Sequence, residues 1–202
     1  TIPGVGLGTT IIGNFIGTDP TGAESRPNAF GIQVISGQAT IGGVLPAERN
    51  VISGNTNAGI ESHGQALAVR IIGNDIGLDA AGLVLSNRDG IDLTPGSYDC
   101  LIEGNRISNN LQFGIYVLGT AADPSWNHRI RGNEITRNGL AGVGIFGKAT
   151  DIVVGSSLTQ DFAPNVIQYN AGLGVVLHDW SGELPRANTI RKNDFRDNHD
   201  LG

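Results

Sequence analysis

The chain has 202 residues with a formal net charge of −6; 31 residues are glycine and 5% are aromatic. The negative charge and the presence of only two lysines, Lys148 and Lys192, argue against nucleic acid or an anionic membrane surface as a partner. No apolar run approaches the roughly 20 residues that a membrane-spanning helix needs, so no membrane span is predicted. So much glycine is typical of disordered chains unless it recurs with a period.

A period is present, and it organises the whole chain. Residues 101–117 hold a clear copy, in which Asn105, Ile107 and Asn110 precede Gly114-Ile115. The same Asn-x-Ile-x-x-Asn spacing occurs seven times in all. Asp replaces the second Asn in two copies, and Phe replaces Ile in one. The copies begin at Asn14, Asn50, Asn74, Asn105, Asn133, Asn165 and Asn193. The leading Asn advances by 24 to 36 residues, a period that predicts a solenoid.

Each copy carries three short apolar segments separated by Asn, Gly and Asp. In chain order the seven predicted coils span 4–19, 31–55, 59–79, 90–110, 114–138, 142–170 and 174–198. Inserts at 17–28 and 77–87 lengthen the first and third coils without destroying the period, so they are predicted to be loops. No window shows helical spacing over three turns, and three strands per turn wound in one direction form a parallel β-helix.

Three columns of inward-facing residues follow from alternation along each strand. The first is Ile32, Ile60, Ile91, Ile115, Val143 and Val175. The second is Ile11, Ile41, Ile71, Ile102, Ile130, Val153 and Ile190. The third is Ile16, Ile52, Ile76, Ile107, Ile135, Ile167 and Phe195. The leading Asn residues are expected to stack as a structural ladder at the bends, because Asn tolerates left-handed backbone and its amide both donates and accepts.

This pattern resembles the right-handed parallel β-helix repeat family, whose members include pectate lyases, polygalacturonases, alginate epimerases and many large surface proteins. The resemblance covers the whole chain and indicates no specific enzyme subfamily. It implies an all-β, single-stranded right-handed parallel β-helix, a solenoid of about seven coils of three short strands with Asn ladders at the bends. Residues 1–202 are then a single domain.

The single cysteine, Cys100, is predicted to be a small buried hydrophobe. The chain lacks Met, and it is expected to be a section of a larger protein. No capping segment is recognisable at either end, and uncovered coils expose apolar side chains and unpaired strand edges. Further coils of the parent protein or another copy of the chain are therefore expected to meet these ends.

Two outward faces carry opposite charges at equivalent positions of successive coils. On the third strand these are Asp75, Arg106 and Glu134, and on the second strand they are Glu103 and Arg131. Such cross-strand pairs hold register at about 0.2–1 kcal/mol each. They are interpreted as solvated structural faces.

The outward face of the first strand carries the candidate site. Its nearer column reads Gln33, Glu61, Asp92, Tyr116, Gly144 and Val176, and its farther column reads Ile35, His63, Thr94, Leu118, Phe146 and His178. Glu61, His63 and Asp92 are the candidate catalytic residues, because neighbouring carboxyls compete for a proton and suit acid–base chemistry. Tyr116, Trp126, His178 and Trp180 are the candidate substrate-binding residues, with aromatic rings expected to line one sugar-binding groove.

Residues 87–92 resemble the Asn-Thr-Asp-Gly motif of polygalacturonases, but Arg88 replaces Thr and Tyr116 stands in the next coil where that family has paired aspartates. The match is therefore interpreted as part of the repeat. The Arg/Lys cluster with calcium carboxylates of pectate lyases and the His-rich run of alginate epimerases are not found. No metal site or cofactor is predicted, and calcium is compatible with the acidic face without support from a motif.

Two functions stay open from sequence. The first is an extracellular or cell-surface module, rigid, structural or adhesive, that binds polysaccharide or cell-surface glycan. The second is a polysaccharide-modifying enzyme (a lyase, epimerase or glycoside hydrolase) that acts from the first-strand face. The missing enzyme motifs favour the first.

Overall fold

The computed structural model describes residues 8–156, 163–179 and 182–199, and it shows a right-handed parallel β-solenoid built from three sheets. The first sheet comprises β3 (Ile32–Gly37), β6 (Ala58–Ala66), β9 (Asp89–Leu93), β12 (Phe113–Gly119), β16 (Ala141–Gly147) and β20 (Leu173–His178). The second comprises β1 (Thr9–Ile11), β4 (Ala39–Gly42), β7 (Arg70–Ile72), β10 (Leu101–Glu103), β14 (Arg129–Arg131), β18 (Val153–Gly155) and β21 (Thr189–Arg191). The third comprises β2 (Phe15–Ile16), β5 (Val51–Ile52), β8 (Asp75–Ile76), β11 (Arg106–Ser108), β15 (Glu134–Thr136), β19 (Val166–Gln168) and β22 (Asp194–Arg196).

The prediction of about seven coils of three strands is confirmed. Two sheets have seven strands each, and the first sheet has six within the described residues. The first-sheet segment predicted for coil one, at 4–7, lies outside them. A small fourth sheet pairs β13 (Ser125–Trp126) with β17 (Ala149–Thr150), and the described helix is a single 3-10 turn at Pro46–Glu48. No helix in the described part of the chain is long and apolar enough to cross a membrane.

Like residues face each other from coil to coil and form the core. Ile102 lies opposite Ile71 on one side and Ile130 on the other, and all three are fully buried. The first and third predicted columns are confirmed by the strand register. β-Branched side chains suit this geometry because they pack well on a pleated surface.

The second predicted column is wrong at one position. Val154 and not Val153 lies opposite Ile130, and Val154 is fully buried. The reason is the bend at Asp151, whose left-handed φ of 57° matches the bends at Asp99 and Asn127 in the two coils before it. Aligning these bends places the inward position one residue later than the spacing suggested.

The leading asparagines form the predicted ladder. The Asn105 amide oxygen accepts from the Asn74 amide at 3.0 Å, and the Asn105 amide nitrogen donates to the Asn133 oxygen at 3.0 Å. The same nitrogen also donates to the backbone carbonyl of Ile71 at 2.9 Å. Each interior rung is tied in the same way to both neighbours and to the backbone, so its buried polar atoms are satisfied.

The bend that leads into this ladder has the same backbone form in three central coils. Gly73, Gly104 and Gly132 each precede a ladder asparagine, with φ of 65°, 65° and 63°. A side chain at Gly73 would place its Cβ 2.2 Å from the backbone oxygen of Gly43. Glycine is therefore required there by a neighbouring coil as well as by the left-handed backbone.

A second asparagine ladder runs through the bend before the first sheet. Its described members are Asn28, Asn55, Asn87, Asn110, Asn138, Asn170 and Asn198, linked by side-chain hydrogen bonds. In coils one and three, the Asn-x-Ile-x-x-Asn spacing places Asp19 and Asp79 at the position of the second Asn. Both aspartates instead anchor the inserted loops, and hydrogen bonds led by the Glu24 amide lower the pKa of Asp19 to about 2.

The predicted charge pairs are present on the outer faces. Arg106 Nε lies 2.7 Å from Asp75 Oδ1 on the third sheet, and Arg131 Nη2 lies 3.1 Å from Glu103 Oε2 on the second. Glu134 occupies the next rung beside Arg106. These contacts join neighbouring coils along the outside of the solenoid.

A buried polar chain lies at the corner between the first and second sheets. His128 Nδ1 accepts the Cys100 N–H at 3.1 Å, so the ring proton lies on Nε2, which contacts Ser125 Oγ at 2.9 Å. Ser125 Oγ is 3.1 Å from Ser97 Oγ, which donates to the Thr94 carbonyl at 2.8 Å. His128 is fully buried, and burial, with a smaller effect of Arg129, lowers its pKa to about 3. Cys100 is buried as predicted.

The last described coil is less covered than the central ones. Ile190 and Phe195 are 40% and 43% exposed, whereas Ile130 and Ile135 on central rungs are fully buried. The expectation that another coil or another copy of the chain meets this edge stays a prediction.

Candidate functional site on the outer face of the first sheet

The predicted outward column is brought together by the register of the first sheet. Glu61 on β6 lies opposite Asp92 on β9, and Asp92 lies opposite Tyr116 on β12. The column continues from Gln33 at one end to Gly144 and Val176 at the other. Neighbouring parallel strands lie about 4.8 Å apart, so unlike side chains are held in close succession.

Glu61 of this column and His63 of the farther column form the accessible part of the face. Gln33 Nε2 donates to Glu61 Oε2 at 2.6 Å, and His63 Nε2 lies 3.8 Å from the same oxygen. The side chains of His63 and Glu61 are 32% and 14% exposed. His63 Nε2 itself is buried and has no hydrogen-bond partner, since 3.8 Å is too long for one.

Asp92 lies beside Glu61 on the neighbouring strand and is only 4% exposed. Its Oδ1 atom is buried without a hydrogen-bond partner. Burial raises the pKa of Asp92 well above its usual value, and the negative charges of Asp89 and Glu61 raise it further against the opposing effect of Arg88. Burial and then Asp92 also raise the pKa of Tyr116. Asp92 therefore holds its proton where an ordinary aspartate is charged.

Asp89, the other carboxyl of this strand, is fully engaged. Arg88 Nε donates to Asp89 Oδ2 at 2.8 Å, and the Phe113 N–H donates to Asp89 Oδ1 at 2.9 Å. Arg88 Nη1 also donates to Asn57 Oδ1 at 3.0 Å. With Asn87 in the second asparagine ladder, residues 87–89 have structural contacts, which agrees with interpreting the polygalacturonase-like stretch as part of the repeat.

An aromatic cluster adjoins the polar column at Tyr116. The Tyr116 ring centroid lies 5.2 Å from that of Phe113 and 5.1 Å from that of Phe146, and Phe146 is 6.2 Å from the exposed ring of His178. Gly144 leaves room for this arrangement, because a Cβ there would come within 2.4 Å of Phe146 and 2.9 Å of Phe113. A concavity of about 340 Å³ opens beside the cluster, lined by Phe113, Leu140, Ala141, Phe146, Leu173 and Val176 among others.

Phe113 and Phe146 were not among the binding residues predicted from sequence. The signal that could have found them is the glycine in the outward column, at Gly144 between Tyr116 and Val176. A missing side chain in a column of larger ones leaves a hollow that neighbouring rings fill. Tyr116 and His178 were predicted, and both belong to the cluster.

Trp126 lies in a different place. It is 41% exposed on β13, at the corner after the first sheet, and it stacks on Tyr98 with centroids 5.4 Å apart and planes inclined by 3°. Trp180 lies outside the described residues. The aromatic contacts thus form two groups, one around Tyr116 and one around Trp126, and the groove predicted to join Tyr116 with both tryptophans stays a prediction.

Among the residues that the structure describes, no group of three or more His, Cys, Asp or Glu side chains is arranged to hold a metal ion. What the face offers is a buried carboxyl with a raised pKa, a second carboxyl that can accept, and two buried polar atoms without partners. Beside these groups lies an apolar, aromatic surface.

Comparison with known proteins bears on the fold. The family model described as the right handed beta helix region matches residues 48–159, more than half of the chain. The solved structure of the periplasmic alginate epimerase AlgG is similar with 13% identity and a TM-score of 0.37, covering 82% of this chain and 47% of that one. A mutant of AlgG gives 14% identity and a TM-score of 0.39, covering 78% and 47%. The chain thus spans about half the length of these structures. No curated protein matches the chain. By its family match and its architecture, the chain belongs to the right-handed β-helix region family.

Proposed function

We propose that the chain is a rigid β-helix module of an extracellular or cell-surface protein, and that it binds a glycan on the outer face of its first sheet. The observation that carries this proposal is the meeting of the Glu61–Asp92 polar column with the Tyr116–Phe113–Phe146 cluster on one face. A sugar ring has an apolar face and a hydroxyl-bearing edge. Aromatic rings suit the first, and carboxyl groups suit the second.

The scaffold supports such a role because it holds the face rigidly. The second asparagine ladder leads into the site strands and the inward columns lie beneath them, so the positions of Glu61, Asp92 and Tyr116 are set by three neighbouring coils. A binding surface on regular strands loses little conformational entropy when it takes up a ligand.

Calorimetric titration with a panel of defined oligosaccharides tests this function. Tyr116→Ala should raise the dissociation constant of any glycan that binds by about tenfold, which corresponds to a loss of about 1.4 kcal/mol in binding free energy. Tyr169→Ala is the matched control, because Tyr169 is also accessible but lies after the third sheet beside Arg137. Absence of binding across the panel, or an equal loss in both variants, would contradict the proposal.

A polysaccharide-modifying enzyme is the second candidate, favoured by one observation. Asp92, whose pKa is raised, lies on the rung next to Glu61, which pairs a candidate general acid with a candidate general base. His63 lies beside Glu61 and would assist proton transfer in a lyase, epimerase or hydrolase.

Turnover assays on the same panel distinguish the two candidates. Reducing ends report hydrolysis, ultraviolet absorbance of new double bonds reports elimination, and proton NMR reports epimerisation. An enzyme acting through Asp92 should lose about 100-fold or more of its rate in Asp92→Asn. Binding without turnover would leave the module as the function.

A further inference from the structure

We propose that the side-chain cluster of Glu61, His63 and Asp92 selects a sugar bearing a protonated amine, so that the ligand is an amino sugar and not a uronate. This inference rests on the proposed glycan-binding function, and it names the class of glycan.

The first support is a pair of polar atoms that lack partners. His63 Nε2 on β6 and Asp92 Oδ1 on the neighbouring strand β9 are both buried without a hydrogen bond. Asp92 is 4% exposed, and the side chain of Glu61 on the adjoining strand is 14% exposed. A buried polar group without a partner is unfavourable, so a ligand that supplies partners gains affinity.

The second support is the balance of charge around these atoms. Three carboxyls, of Glu61, Asp89 and Asp92, lie on two adjacent strands. The guanidinium beside them belongs to Arg88, which already donates to Asp89 and to Asn57. A uronate carboxylate at this position would meet Glu61 as a like charge, whereas an ammonium would meet it as an opposite one.

The third support is the proton on Asp92. Burial and nearby negative charge raise the pKa of this carboxyl. An ammonium beside Glu61 opposes the effect of the nearby negative charges, so Asp92 would release its proton to the solvent while the amine keeps its own. One positive charge replaces another, and the cluster keeps its charge balance.

The ligand pair that tests this selectivity differs by one group per sugar. Oligomers of glucosamine and of N-acetylglucosamine share their linkage and length, but the first carry ammonium groups at slightly acidic pH. Titration calorimetry at low salt should show the glucosamine oligomer binding at least about tenfold more tightly, and oligogalacturonate not binding measurably. The difference should shrink as salt rises.

Two variants with the same change in net charge distinguish a local effect of Glu61 on binding from an effect of the overall charge of the chain. Glu61→Gln should reduce the preference for glucosamine to about twofold or less. Glu134→Gln should keep the preference, because Glu134 is an exposed residue of the third sheet. An equal reduction in both variants would overturn the inference, since bulk charge would then explain binding.

Proton release gives a second, independent measurement. Titrations in two buffers of different ionisation enthalpy should show protons released on binding of glucosamine oligomers, and Asp92→Asn should lower the number released. Equal or tighter binding of the N-acetylated oligomer would overturn the amino-sugar inference and leave the glycan-binding function intact. Failure of the whole panel to bind would remove the function itself.

Discussion

The asparagine ladders and the outer column of the first sheet are built on the same coils, and they treat polar side chains in opposite ways. On the ladder, each amide meets an identical amide, and Asn105 is hydrogen-bonded on both sides and to the backbone. On the outer column, Glu61, Asp92 and Tyr116 meet unlike neighbours, and Asp92 Oδ1 has no partner. The repeat therefore stabilises the fold where neighbouring rungs are identical. Where neighbouring rungs differ, it leaves polar groups that a ligand could contact.

The largest expected effect comes from breaking a ladder rung. Asn105→Ala removes the acceptor of the Asn74 backbone and side-chain N–H groups and the donor to the Ile71 carbonyl. Several buried polar groups then lose partners, and the free energy of unfolding should fall by about 4 kcal/mol. Urea denaturation measures it. Asn14→Ala at the exposed end of the same ladder should cost about 1 kcal/mol, and an equal loss at both sites would contradict the ladder argument.

A core rung comes next. Ile102→Ala leaves a cavity between Ile71 and Ile130, and should lower the free energy of unfolding by about 3 kcal/mol. Ile35 on the outer face is 56% exposed, so Ile35→Ala should change it by less than about 0.5 kcal/mol. A stable Ile102→Ala variant would mean that the inward phase of β10 is wrong.

The buried His128 should appear as a pH dependence of stability. Its pKa in the folded protein is about 3, below the ordinary 6.5, so between these values the unfolded chain binds a proton that the folded chain does not. The free energy of unfolding should therefore fall with decreasing pH from about 6.5, by up to about 1.4 kcal/mol per pH unit from this group. Denaturation at pH 7, 6 and 5 should give a shallower slope for His128→Gln than for the unmodified chain. Identical slopes would contradict the burial of a neutral ring.

The smallest effect on the free energy of unfolding is expected at Asp92, and its pH dependence has the opposite sign to that of His128. Its raised pKa means that, above the ordinary value of about 3.9, the unfolded chain loses a proton that the folded chain retains, so stability falls as pH rises. Asp92→Asn removes this linkage while keeping the shape of the side chain. The variant should be at least as stable as the unmodified chain at pH 7, with an advantage that grows from pH 4 upward. A destabilised variant at pH 7 would show that the carboxylate has a partner.

The sequence was informative wherever a position repeats. The inward isoleucines, the leading asparagines and the outward order Glu61, Asp92, Tyr116 could all be predicted, because strand alternation and a period of 24 to 36 residues place equivalent residues on one line. Asp19 and Asp79 fit the spacing of the second ladder but lie inside the inserts, and Asn28 and Asn87 at the ends of the inserts belong to the ladder instead.

What the repeat could not predict depends on side-chain packing and on loops without a period. Phe113 and Phe146 come together over Gly144 through ring contacts between coils, and no spacing rule encodes the direction of a ring. Trp126 follows a loop of irregular length, and its stacking on Tyr98 depends on how that loop returns to the second sheet. The raised pKa of Asp92 likewise follows from its burial, and the sequence pattern alone does not show how deeply a side chain is buried.

The glycine bend shared by the ladder asparagines Asn74, Asn105 and Asn133 has a consequence for how such a chain changes over evolutionary time. Gly104-Asn105 and Gly132-Asn133 have the same sequence and nearly the same glycine φ, 65° and 63°. Loss of the 28 residues from 105 to 132 would join Gly104 to Asn133 and recreate the junction that was there before, with Ile102 opposite Val154 in place of Ile130. The chain can thus lose a whole coil while keeping the bend and the inward register, and the outer column then acquires new neighbours.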